Sequence, residues 1–153
     1  MDTHVQPLLR GKTVIVGIGN PLRGDDGFGP AFIARLHGKV NAVCIDVGNA
    51  PENYLGRIVK EAPDTIVLVD VAHLGLAPGQ YRLLQPQEIL HHGLTTHDMS
   101  SRMLIEFLQA ETSATIMMLA VQPQQLGLGE PLSAPVTETL TVLEHLLCEA
   151  LHA

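Results

Sequence analysis

"TVIVGIGNPLRGDDGFGPAFIARL" (Thr13–Leu36) opens as a strand, passes through a glycine-rich loop and closes as a helix. The run Thr13–Gly19 is β-branched and apolar on both faces, the pattern of a strand buried on each side. Phe28, Phe32, Ile33 and Leu36 then recur at helical spacing, and Pro30 is tolerated in a first turn. A buried strand feeding directly into a helix is the first half of a parallel α/β unit. Between them lie two adjacent carboxylates, Asp25 and Asp26.

The alternation continues outward from this unit. Strands are expected over Asn41–Val47, Asp64–Ala72, Gly79–Pro86 (less buried) and Ala114–Val121. Helices are expected over Ala50–Pro63, ended by Pro63, over Thr96–Ala110 with Met99, Met103 and Phe107 on one face beside Leu104 and Leu108, and over a closing stretch. In that last helix Ser133 is placed to cap, Pro135 sits in the first turn, and Val136, Leu140, Leu143, Leu147 and Leu151 form the inner stripe. The fold class that follows is α/β: a three-layer sandwich, a twisted, mostly parallel sheet of about five strands with helices on both faces. No repeat or linker divides the chain, so residues 1–153 read as a single domain. In such a sheet, ligands bind beyond the carboxyl ends of the strands.

Bulk composition narrows the function classes. With 46% apolar and 16% charged residues the chain has the material for a compact core. A net charge of −7 argues against nucleic acid or an anionic membrane surface as partner. No stretch approaches the length of a membrane span, and the N-terminus lacks the pattern of a secretory signal, so the cytoplasm is the expected compartment. Cys44 and Cys148 are far apart, outside any C-x-x-C, and read as buried free thiols. No exposed apolar stripe asks for an oligomer, and a monomer is expected.

The carboxyl-end rule selects the polar residues to weigh: Asp25 and Asp26 after the first strand, Asp46 at the end of the second, Asp70 closing "IVLVD", and His97 beside a helix start. The glycine loop resembles a phosphate loop but fails both patterns. Leu22 stands at the third glycine of G-x-G-x-x-G, and Asp25-Asp26 stands where a P-loop needs Lys-Ser/Thr. Two carboxylates repel phosphate and attract a cation, and with a neutral imidazole they suit a divalent metal such as zinc or nickel. A helix N-terminus beside His97 would favour its neutral, ligating form.

The plainer readings stand alongside. Asp25 serves as a helix cap, Asp46 and Asp70 as turn residues, His97 as a loop histidine with Asp98 capping the helix, and His91 and His92 as surface residues. Asn20 and Asp25 also read as partners that orient the loop around a metal contact. No G-x-S-x-G or H-E-x-x-H motif offers a different hydrolytic site.

"GIGNPLRGDDGFG", "VLVDVAHLGLAPG" and "TTHDMS", in that order and spacing, resemble the [NiFe]-hydrogenase maturation endopeptidases. "NAPEN" and "AVQP" are similar to the branch that matures hydrogenase 3, the formate hydrogenlyase enzyme. The resemblance implies a peptide hydrolase of aspartic type. It removes a C-terminal extension from the hydrogenase large-subunit precursor after nickel insertion. The nickel belongs to the substrate, with another divalent metal able to stand in for it in the isolated protein. Carried over residue by residue, its metal-contacting and catalytic residues fall on Asp26, Asp70 and His97. The chain departs from the family pattern at Val47, where a glycine is usual, and at Phe28, where a small residue is expected. A peptidase or amidase with its own metal, and a non-catalytic nickel-binding chaperone, are the alternatives.

Overall fold

A computed structural model describes residues 9–92 and 100–152. Five strands, β1 (Thr13–Ile18), β2 (Val43–Gly48), β3 (Thr65–Val71), β4 (Tyr81–Leu84) and β5 (Thr115–Val121), form a sheet in the order β2-β1-β3-β5-β4. All pairs are parallel except β4 with β5. The exception follows from chain length: residues 72–80 are too few for a crossover helix, which needs a dozen or more. The chain therefore folds back into an antiparallel edge strand.

Strand alternation builds two cores. Ile15, Val67, Val69, Met117 and Leu119 face α1 (Phe28–Leu36) and α5 (Ala134–Ala150). Val14, Val16, Ile66, Leu68 and Met118 face the other side, with α2 (Leu55–Lys60), α3 (Pro86–His92) and α4 (Ser101–Glu111). Helices on both faces leave β1 and β3 buried at every position, which is why both read as unbroken apolar runs.

The first helix lies unusually close to its strand. A Cβ on Gly17 would meet the carbonyl oxygen of Gly29 at 2.5 Å, and one on Gly29 would meet that of Ile18 at 2.3 Å. Beneath this contact Phe28 and Phe32 stack with centroids 5.7 Å apart, both fully buried. On the outer side Glu144 of α5 joins Arg35 of α1 and Lys39, each at 3.0 Å.

Four local expectations are corrected. The helix expected over Ala50–Pro63 is a short 3-10 turn (Pro51–Asn53) followed by α2, divided at Tyr54. Helix α3 was not foreseen, because seven residues carry too little periodicity to register. Helix α4 begins only at Ser101, where the Ser100 hydroxyl takes the Met103 amide at 3.1 Å, so Ser100 and not Asp98 is its cap. Its inner face is Leu104, Ile105 and Leu108, while Met103 is 57% exposed. Finally, Cys44 and Cys148 are free but only half-buried.

Two outcomes follow from this packing. Phe32→Ala removes a fully buried ring and is expected to cost about 3–5 kcal/mol, read from denaturant unfolding. Hydrogen bonds from Lys39 and Arg35 hold the Glu144 carboxyl below its ordinary range. Their contribution is present above that range and lost as pH falls through it. Glu144→Gln is expected to cost up to about 1 kcal/mol near neutral pH, with the stabilities of variant and parent converging in acid.

Candidate active site at the carboxyl rim of the sheet

The acidic loop begins where β1 runs out. Gly19 still donates its amide to Gly48 of β2 at 2.8 Å, then turns with φ at +145°, a conformation that a side chain disfavours. The side-chain oxygen of Asn20 accepts the Leu22 amide at 2.9 Å. The Asp26 carboxylate accepts the Asn20 amide at 2.8 Å, and the Asp26 amide donates to Arg23 at 3.0 Å. The loop thus closes on itself as a 3-10 turn (Gly24–Gly27), and half-buried Asp26 is held directly above the end of β1.

Asp25 points the other way. It is 0% exposed, and both oxygens accept hydrogen bonds from residues between β5 and α5. Its expected role as a helix cap is not observed, since no side chain caps the turn. Ser133 likewise precedes α5 without capping it through its hydroxyl, which it gives to Asp25 instead.

Asp70 is 1% exposed near the end of β3 and accepts the Val71 amide at 2.8 Å. It lines a small enclosed pocket with Ile18, Pro51, Ile89, Ser101 and Leu104. The register sets Gly17 opposite Val69, so Asp70 stands level with Ile18 on the neighbouring strand. The amide that binds Asp26 lies two residues further along, a backbone separation on the order of 8 Å. The turn itself packs against β3. Asp26 and Asp70 therefore occupy adjoining positions on one rim. Asp46 sits lower, within β2 opposite Gly17, and is an exposed strand residue whose carboxylate accepts the Gly48 amide at 2.9 Å.

His97 and Asp98 lie outside the described residues, as do the side chains of His91 and His92. Helix α4 begins at Ser101, four residues after His97 in the sequence. Among the described residues no cluster of three or more His, Cys, Asp or Glu side chains is placed to hold a metal. The two rim carboxylates are a hard pair of oxygen donors that lacks a third ligand without the 93–99 segment. Burial pushes the Cys44 thiol up, away from the reactive thiolate. Among the described residues no helix is long and apolar enough to cross a membrane.

A family model of hydrogenase maturation proteases (HycI) matches residues 31–150. The chain belongs to the hydrogenase maturation protease family. It is 34% identical over 137 residues to the hydrogenase 3 maturation protease of Escherichia coli K12, with 87% of each chain covered. Its fold matches the crystal structure of the HycI maturation protease of Thermococcus kodakarensis with a TM-score of 0.87 at 31% identity, over 95% of this chain and 97% of that one. A crystal structure of a hydrogenase 3 maturation protease matches with a TM-score of 0.81 at 32% identity, over 89% and 88%.

Both departures from the maturation-protease pattern are absorbed by packing. Phe28 is buried against Phe32 and Val47 lies in the opposite core, 2% exposed. Neither enters the rim. Sequence reasoning passed over Gln122 and read Ser133 only as a cap; their roles behind the rim depend on partners 48 and 108 positions away.

The conformation of the acidic loop is directly testable in this maturation protease. A Cβ on Gly19 would overlap the Asp26 carbonyl oxygen. Gly19→Ala is expected to lose at least about 1–3 kcal/mol in chemical unfolding from the backbone conformation alone. It should also displace Asp26 and lower peptidase activity out of proportion to the folded fraction.

Proposed function

We propose that this maturation protease removes the C-terminal extension of a [NiFe]-hydrogenase large-subunit precursor once nickel is in place. In this reading it recognises the substrate's nickel through Asp26, Asp70 and His97. The observation that carries it is the presence of two carboxylates on one sheet rim, one from the turn after β1 and one from the end of β3, each held by a backbone amide. Ser101, four residues after His97 in the sequence, lines the same pocket as Asp70.

Peptide hydrolysis requires a polarised carbonyl, an activated water and a protonated leaving nitrogen. Nickel carried by the substrate meets Asp26 first, because Asp26 is the accessible carboxylate and Asp70 the enclosed one. The division of labour follows from burial. Asp70 fixes the metal in a dry, apolar-walled pocket where a counter-charge counts for more, and Asp26 is left beside solvent to orient the attacking water. A precursor without nickel brings no cation to these carboxylates and forfeits the main docking contact. Specificity is then a property of the substrate's metal, in keeping with the oxygen donors that the rim presents.

The decisive experiment offers nickel-loaded and nickel-free precursor to the protein and to Asp26→Asn, Asp70→Asn and His97→Ala. Wild type is expected to cut the loaded form and leave the nickel-free form intact. The Asp26 variant should be slower by about 10²–10⁴-fold, the range for loss of a general base. Equal cutting of both precursors would falsify the nickel-sensing reading. A nickel ion retained stoichiometrically by the isolated protein would indicate a resident-metal peptidase instead. No cutting of either precursor would leave a binding module.

A further inference from the structure

Two side chains tie the connection between β5 and α5 to the turn that carries Asp26 and to the segment that follows the strand carrying Asp70. Asp25 grips it from the acidic turn. One carboxylate oxygen accepts the amides of Gln124 at 2.8 Å and Gln125 at 3.0 Å and the Ser133 hydroxyl at 2.8 Å; the other accepts the Ser133 amide at 2.7 Å. Backbone bonds reinforce the grip: Gly24 donates to Glu130, Asp25 to Gln125 and Gly129 to Leu22, at 3.0, 2.8 and 2.8 Å. A buried carboxylate is costly unless its lone pairs are met, and here four donors meet them.

Gln122 grips the other loop. Its side-chain oxygen accepts the Leu74 amide at 2.6 Å and the Leu76 amide at 3.4 Å, in the segment leaving β3 just beyond Asp70. Its nitrogen donates to the Pro123 carbonyl at 3.3 Å, which fixes the orientation of the carboxamide. Its backbone pairs with Gln80 and Gly79, both at 2.8 Å. Residues 122–133 are therefore bonded on one flank to the turn that presents Asp26, and on the other to the exit from the strand that presents Asp70.

We infer that Asp25 and Gln122 are positioning residues, and that through them the β5–α5 connection sets the spacing of Asp26 and Asp70. Neither side chain reaches the reacting atoms. Asp25 is fully buried with its oxygens occupied, and Gln122 is spent on backbone amides. Loss of either grip loosens the Asp26 turn or the segment that leaves β3 beyond Asp70, and a metal contact shared between the two carboxylates is sensitive to such a shift. This rests on the proposed nickel-sensing reading.

The test compares wild type, Asp25→Asn, Gln122→Met and Gln122→Glu on nickel-loaded and nickel-free precursor. Rates are normalised to the folded fraction from circular dichroism. Asn at position 25 keeps one acceptor but sets an NH2 against a donor. Met at position 122 keeps the bulk and removes the acceptor, and Glu restores it. The expected result is a fall of about 10–100-fold in kcat/KM for loaded precursor in the Asn and Met variants. Their preference for loaded over nickel-free substrate should fall in parallel, with substantial recovery in Gln122→Glu. A merely structural role lowers the folded fraction but leaves the normalised kcat/KM and the nickel preference at wild-type values, and that result overturns the inference. Should Asp25→Asn fail to fold, the Gln122 pair decides. If wild type shows no nickel preference, the nickel reading falls, and the normalised kcat/KM of the variants still decides the positioning roles.

Discussion

The rest of the architecture depends on the close approach of α1 to β1. Gly29 rests on Gly17 and Ile18 with no room for a β-carbon on either glycine. A helix held this near its strand forces the intervening residues to turn back sharply over the strand's end, and the loop has no freedom to swing over a helix flank. The acidic residues are consequently delivered to the carboxyl rim of the sheet, where the parallel strands β2 and β3 also end. In a doubly wound sheet that rim is where a crevice opens.

Within the loop, the two aspartates are sorted by geometry. Adjacent residues on a tight turn direct their side chains to opposite sides. One carboxylate is driven into the protein, and its burial is tolerated because backbone amides and a serine hydroxyl meet it. The other stays beside solvent, tied to a single amide from its own loop. The same pair of residue types thereby yields a structural anion and an accessible one. An accessible carboxylate at one strand end beside an enclosed one at the next is an arrangement suited to a divalent cation carried in by a partner. It accords with membership of the hydrogenase maturation proteases.

The edge strand and the β5–α5 connection show how a small fold stiffens a site made of loops. Loops carry little packing of their own and owe their position to what holds them. Here the support comes from one stretch, residues 122–133, hydrogen-bonded to the loops that follow both β1 and β3. Phe28 and Val47 meanwhile pack into the two cores, and neither position faces the rim.

Apolar periodicity alone determined the alternation of strands and helices, the parallel sheet with two covered faces and the rim to which Asp26 and Asp70 belong. Those properties follow from which residues avoid water, and that is written locally. Periodicity was weakest where the elements are short: α3 has two turns, and the segment Ala50–Pro63 breaks at Tyr54. The sequence offered Asp98 as the cap of α4, and the Met103 amide bonded to the Ser100 hydroxyl assigns the cap to Ser100 instead. Only the tertiary structure decided which aspartate of the pair is buried, that Ser133 serves Asp25 in preference to its own helix, and that Gln122 holds the exit of β3. Each of these depends on a partner roughly 50 to 110 residues distant, and a hydrogen bond across that separation exists only once the sheet has brought the strand ends together.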